Sequence, residues 1–175
     1  MNILKKETMY NGFLQLNKLT IKLPNDQIIE REIIEKRNGI AIVPVTSDGK
    51  IYLTKQPRVG VNNLQSIEIP AGIIEANEDP SQAAKRELLE ETGCTCEELI
   101  PLGYFSADPG CCTSCTYLFL AKDVVKVQEL QLDDDEYLES FSEDFKTALK
   151  MIEDQIIVDS HSIIGISRSQ KFLNM

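Results

Sequence analysis

Gly72, Glu78, Arg86, Glu87, Glu90, Glu91 and Gly93 stand in a fixed order within GIIEANEDPSQAAKRELLEETGC, residues 72–94. Five residues separate Gly72 from Glu78, and seven separate Glu78 from Arg86. Carboxylates gathered this way can do one of two things. They can form a solvated acidic face, the ordinary meaning of a charge run. Alternatively they can hold a hard divalent cation, because magnesium takes oxygen ligands and combines a few carboxylates with waters and substrate phosphates. Like charges three or four residues apart on a helix repel by about 0.2–0.5 kcal/mol per pair. A chain seeking only solubility would intersperse lysines. The glycines, the arginine and the fixed spacing favour the cation site.

These side chains need a helix to carry them. Asp79 suits an N-cap and Pro80 the first helical position. Gly93 suits the residue that ends the helix in a left-handed conformation. The spacing therefore predicts one helix from Pro80 to about Thr92. Ala84 and Leu88 form its apolar stripe, while Ala83, Glu87, Glu90 and Glu91 share another face. Arg86 lies four residues before Glu90 and can brace it, and Glu78 sits within reach of Arg86.

The stretch resembles the Nudix box, G-x5-E-x7-R-E-U-x-E-E-x-G-U, where U is a bulky aliphatic residue. Leu88 fills the first U; Cys94 stands at the second and keeps a small apolar side chain. The resemblance implies a loop–helix–loop that binds magnesium or manganese and hydrolyses a nucleoside diphosphate linked to another moiety. By position, Glu87, Glu90 and Glu91 become the metal-binding and catalytic carboxylates. Arg86 belongs to the same catalytic set, chiefly as a brace together with Glu78.

The succession RNGIAIVPVTSDGKIYLTKQPR … EIPAG looks like the ADP-ribose pyrophosphatase branch, and the resemblance covers roughly residues 28–160. It implies an α/β/α sandwich with a mixed sheet over residues 38–175. Residues 1–37 become an N-terminal strand extension that pairs with a second subunit in a homodimer. Arg58 is then a phosphate contact, Glu68 a lining residue, and Ala71 a metal ligand through its backbone carbonyl. Pro57 stands where the branch often has an aromatic residue. The implied reaction converts ADP-ribose to AMP and ribose 5-phosphate. The alternatives are another nucleoside diphosphate sugar, a dinucleotide, or a non-catalytic nucleotide-sugar sensing module. The branch often places a glutamate in the loop that here reads Cys111-Cys112-Thr113-Ser114-Cys115, and this loop has no carboxylate. The base then falls to the box itself or to another loop, where Asp108, Glu136 and Glu139 are the nearby acids that could take its place.

Composition bounds the remainder. A chain of 175 residues with 42% hydrophobic content suits one domain with a sizeable core. A net charge of −10 argues against nucleic acid and anionic membrane as partners. With no apolar run of membrane-spanning or signal-peptide length, a cytoplasmic protein is expected. Alternation around Phe13–Leu23 and Gln27–Lys36, split by Pro24-Asn25-Asp26, predicts a hairpin. Further strands are expected at Ile40–Val45, Ile51–Lys55, Ser66–Ile69, Leu99–Ala107, Thr116–Ala121 and Tyr137–Phe141. Helices are expected from Glu143 to about Ile152 and from Ser160 to Leu173, with Gly165 an unfavourable interior residue. The acidic run Asp133–Glu136 reads as a turn. All five cysteines fall between positions 94 and 115. Cys94-x-Cys96 with Cys112-x-x-Cys115 allows a zinc site, but reduced structural thiols fit better. His161, the only histidine, reads as an exposed or helix-cap residue.

Overall fold

The computed structural model describes residues 1–61, 65–132 and 136–173. Of the turn expected at Asp133–Glu136, residues 133–135 lie outside them. The chain divides into two compact units: Met1–Asn38 with Phe105–Cys115, and Gly39–Tyr104 with Thr116–Met175.

The first unit is a three-stranded sheet of β1 (Asn2–Asn11), β2 (Gln15–Lys22) and β3 (Ile28–Glu35), with β2 in the middle and both pairings antiparallel. The β2–β3 hairpin turns where the sequence predicts, with Asp26 in the left-handed region at φ 63°. β1 has no matching signal in the sequence. Every residue along it is exposed, so neither face imposes the period-2 alternation that marks a half-buried strand. The 105–115 segment joins the sheet at β3: Ile34 donates to the Cys111 carbonyl at 2.7 Å, and Thr113 donates to the Ile34 carbonyl at 3.1 Å.

The second unit is organised around β4 (Gly39–Val45), whose sequence GIAIVPV is buried at all but its first position. A strand that reads as a continuous apolar run is covered on both faces. Alternate residues of β4 serve the two faces. Ile40 and Ile42 pack with Ala83, Ala84 and Leu88 of helix α1 (Pro80–Thr92). Val43 points instead at Gly165 of helix α3 (Ser160–Ser169).

β4 sits within the order β12–β5–β4–β10–β9. Here β5 is Lys50–Pro57, β9 Glu98–Phe105, β10 Thr116–Lys122 and β12 Glu139–Asp144. Short β6 (Gln65–Glu68) pairs with β5, and β7 (Ala71–Ile73) pairs with β4. β10 runs parallel to β4, whereas β12, β6 and β7 pair antiparallel, so the sheet is mixed. Two-residue β8 (Cys94–Thr95) and β11 (Val125–Lys126) pair with each other, and α2 (Phe145–Glu153) follows β12. The last expected strand thus begins two residues later than its sequence suggests. The final helix passes into a 3-10 turn at Gln170–Phe172.

Gly165 does not break α3, because tertiary packing requires a hydrogen there. A Cβ at this position would stand 2.8 Å from Ile69 Cδ1 and 3.1 Å from Val43 Cγ2. Gly165→Val should therefore overpack the helix–sheet contact and lower unfolding free energy by about 1–3 kcal/mol, measured by urea denaturation. A gain in stability would mean that helix propensity outweighs contact at this site. No helix among the described residues is long and apolar enough to cross a membrane.

Candidate active site

The loop and helix caps of the 72–94 stretch are as its residues dictate. Asp79 accepts from Ser81 N–H at 2.8 Å. Gly93 adopts φ 70° and donates to the Leu89 carbonyl. Thirteen residues of helix lie between these caps. Its core side buries Ala83, Ala84 and Leu88, and Glu87 and Glu91 are buried as well. Ala83 is thus a core residue rather than part of the carboxylate face.

Arg86 ties the acidic residues together. Its Nε and Nη2 donate to the two oxygens of Glu78 at 2.9 and 3.1 Å. Its Nη1 donates to Glu87 Oε1 at 2.8 Å and Glu90 Oε2 at 2.9 Å. Nη2 also reaches the Ile73 carbonyl at 3.2 Å, which fixes the loop to the helix. Glu78 in turn accepts from Glu75 N–H at 2.8 Å and closes the loop on itself. A guanidinium suits this task because its planar donors are fixed in space, whereas a lysine offers a single point charge. Arg86→Lys should keep the fold, lower turnover about 10-fold through loss of the shared Nη1 bridge, and leave the far-UV circular dichroism unchanged. Unaltered turnover would show that the bridge has no part in ordering Glu87 and Glu90.

Glu91 has a different setting. Only 3% exposed, it accepts one hydrogen bond among the described residues, from Ala71 N–H at 3.0 Å. Burial, with added repulsion from Glu87 and Glu136, pushes its carboxyl up to about 8. Burial likewise raises Glu87, against the pull of Arg86. Gly72 completes the pocket: a Cβ there would collide with the carboxylate of Glu87.

Among the described residues, no three His, Cys, Asp or Glu side chains converge as a ready-made metal cluster. Arg86 holds one oxygen each of Glu87 and Glu90, and the other oxygen of each stays outside those bonds. The donor set nonetheless fits a hard divalent ion. It consists of oxygens, it carries more buried negative charge than the neighbouring Arg86 and Arg58 offset, and the glycine leaves room beside it.

Arg58 and Glu68, expected to line the site separately, meet each other. The Arg58 Nε and Nη2 donate to the two Glu68 oxygens at 3.0 and 2.8 Å, and Gln56 adds a bond at 3.3 Å. Glu68 is buried while the guanidinium is half-exposed. The Arg58 charge works against the rise of the Glu91 carboxyl.

Of the three acids that could serve as base, Asp108 belongs to the first unit and accepts from the Cys111 thiol at 2.8 Å. Glu139 is an exposed residue of β12. Glu136 is exposed as well, and its charge is among the causes that raise Glu87 and Glu91. The 111–115 loop, where the sequence comparison looked for a carboxylate, is committed to the edge of β3 instead. All five cysteines are free thiols. Cys94 is core beneath α1, and Cys112 Sγ lies 3.2 Å from Ser114 Oγ. The zinc arrangement thus has no assembled ligand set among the described residues.

A further set of polar residues is not evident from sequence. Asp159 caps α3, accepting from Ser162 N–H and Ser162 Oγ, each at 2.8 Å. Its other oxygen lies 2.9 Å from His161 Nδ1, and His161 Nε2 lies 3.1 Å from Thr116 Oγ1. Burial works against the Asp159 charge, but His161 and the Ser162 donors hold its carboxyl below the ordinary value. His161, expected as an exposed or helix-cap residue, is the neighbour of the cap Asp159 and is only partly exposed; its contacts depend on β10, which the local sequence does not disclose.

Comparison with known proteins accords with this geometry. The family profile described as NUDIX domain matches residues 35–155. The chain is 34% identical over 167 residues to an ADP-ribose pyrophosphatase of Bacillus subtilis (strain 168), covering 94% of this chain and 90% of that protein. It is 33% identical over 169 residues to a methanol dehydrogenase activator of Bacillus methanolicus, covering 95% and 91%. A crystal structure of an ADP compounds hydrolase superposes with a TM-score of 0.87 at 22% identity, covering 99% of this chain and 94% of that one. That likeness establishes the α/β/α sandwich.

Proposed function

The chain belongs to the NUDIX family, and from that premise we propose that it hydrolyses the pyrophosphate bond of ADP-ribose, giving AMP and ribose 5-phosphate. The observation that carries this reading is the buried Glu91, held by Ala71 N–H beside Glu87 and a braced Glu90. The similarity to the Bacillus subtilis pyrophosphatase over nearly the whole chain supports the substrate.

Glu87, Glu90, Glu91 and the Ala71 carbonyl would hold a divalent cation, magnesium or manganese, which when bound supplies Lewis acidity and positive charge against the diphosphate. The chain's own residues do the remaining work. Arg86 keeps Glu87 and Glu90 from splaying apart. A guanidinium has five N–H donors; Glu68 takes two from Arg58, which leaves others to orient substrate phosphate oxygens. Glu136 accepts the proton of the attacking water. The water oxygen bonds to one phosphorus as the bridging P–O bond breaks, and the departing phosphoryl group takes the bridging oxygen. Fixed positions and preorganised charge account for most of the acceleration.

The test is product release from a panel of nucleoside diphosphate sugars and dinucleotides, with magnesium and with chelator. Metal-dependent turnover of ADP-ribose above the others is expected. Preference for another member would move the substrate and keep the chemistry; ligand binding without any turnover would favour the sensing module. Near-equal similarity to the Bacillus methanolicus activator favours a second reading, in which the chain stimulates a dehydrogenase. Adding it to a methanol dehydrogenase assay checks that directly.

Residues 1–37 are proposed as the dimerisation element of a cytoplasmic homodimer, with residues 38–175 as the catalytic domain. Free thiols suit a reducing compartment. Exposed Ile3, Met9, Tyr10 and Phe13 give the first unit an apolar surface of the kind that marks interfaces. Light scattering should report twice the 19.7 kDa chain mass; a monomer at micromolar concentration would remove this assignment.

A further inference from the structure

We propose that Asp159 is a positioning residue for the carboxylate face, acting through Ser162 and His161 on the segment 69–72; the inference rests on the reading of Glu91 as a metal-binding carboxylate. A helix cap needs only one bond, from Ser162 N–H to Asp159. Asp159 makes two further connections, and both lead to the same place.

The first runs through the Ser162 hydroxyl. Ser162 is fully buried; its Oγ donates to Asp159 Oδ2 and accepts from Ile69 N–H, each at 2.8 Å. Ile69 stands between Glu68, which holds Arg58, and Ala71, which holds Glu91. The second runs through His161. With Asp159 as acceptor, Nδ1 carries a proton, and Nε2 lies within hydrogen-bond distance of the Thr116 hydroxyl. Thr116 opens β10 and lies opposite Gly39 in the parallel register with β4. Gly39 and Ile40 are opposite Ile73 and Gly72 of β7. One carboxylate therefore pins the 69–72 segment at its start and fixes the strand that flanks its end.

A merely structural cap and a positioning residue differ in what Ser162→Ala does. That variant keeps the backbone cap bond and removes the hydroxyl that joins Asp159 to Ile69, with both of its hydrogen bonds. Two readouts decide. In chelator, exchange of the Ala71 amide should rise about 10-fold, the scale of one lost buried hydrogen bond, while exchange at Leu53 on β5 stays as in the wild type. Manganese affinity, read from the free-ion electron paramagnetic resonance signal, should fall by a similar factor. Ser162→Thr, which retains the hydroxyl, should restore both. His161→Gln, at a partly exposed position, supplies the same two readouts if Ser162→Ala does not fold.

Unchanged Ala71 exchange in a folded variant overturns the proposal. So does faster exchange with wild-type manganese affinity, since the face would then not depend on the segment. If the wild type itself fails to bind manganese, the metal reading falls, and Ala71 exchange alone decides the positioning role.

Discussion

Glu91→Gln should lower turnover of the preferred substrate at least about 10³-fold, since it removes the charge of a proposed metal ligand, and should at the same time make the metal-free protein more stable. Both expectations come from one feature. Glu91 is a buried carboxylate with one hydrogen bond from Ala71, and burial pushes it up to about 8 from an ordinary 4.5. A folded-state value above the unfolded one means that the folded chain binds the proton more tightly. Its contribution to stability is fully present below 4.5 and is lost as pH rises through about 8. Glutamine keeps an oxygen for Ala71 N–H and carries no charge, so it suffers no such loss. In chelator, the variant's melting temperature should match the wild type near pH 4.5 and exceed it increasingly towards pH 8. The expected scale is about 2–4 °C per kcal/mol for a domain of this size. Divalent ions should reverse the order, stabilising the wild type and leaving the variant unmoved. Equal melting curves at pH 8 in chelator would show that Glu91 is not an uncompensated buried charge. A folded variant with near-normal turnover would remove it from the metal face.

The 72–94 stretch was readable because its signals are local. Asp79, Pro80 and Gly93 bound a helix whatever surrounds them, and helical spacing alone brings Arg86 to Glu87 and Glu90. The β2–β3 hairpin and the strands β4, β5 and β10 were legible for a similar reason: alternating or continuous apolar runs report burial directly. What the sequence withheld depends on distant partners. β1 is held by pairing rather than by a buried face. Gly165 is tolerated in α3 because Ile69 and Val43 leave no room for a side chain. Arg58 and Glu68 were recognised singly, but their mutual fork needs β5 and β6 side by side. His161 had no visible partner because Thr116 is 45 residues away. Glu136 stood among three candidate acids, and the local sequence does not disclose that its charge bears on Glu87 and Glu91.

The assignment of Glu136 makes the second large prediction. Glu136→Gln should reduce turnover by about 10²–10⁴, the usual worth of a positioned general base, with KM for substrate nearly unchanged. Glu136 is exposed, so the loss of its charge should not endanger the fold. The effect on the neighbours has a definite sign. The Glu136 charge helps raise Glu87 and Glu91; its removal should lower both, and the metal-free protein should gain slightly in stability near neutral pH. Manganese affinity separates this role from that of Glu91. A base that only takes a proton from water can be neutralised without loss of the ion, whereas Glu91→Gln should weaken ion binding and turnover together. If turnover stays near the wild-type level, the proton goes elsewhere and Glu136 shapes the site only through its charge. If manganese binding falls along with turnover, Glu136 is a metal ligand, and the base must be sought among the box carboxylates themselves.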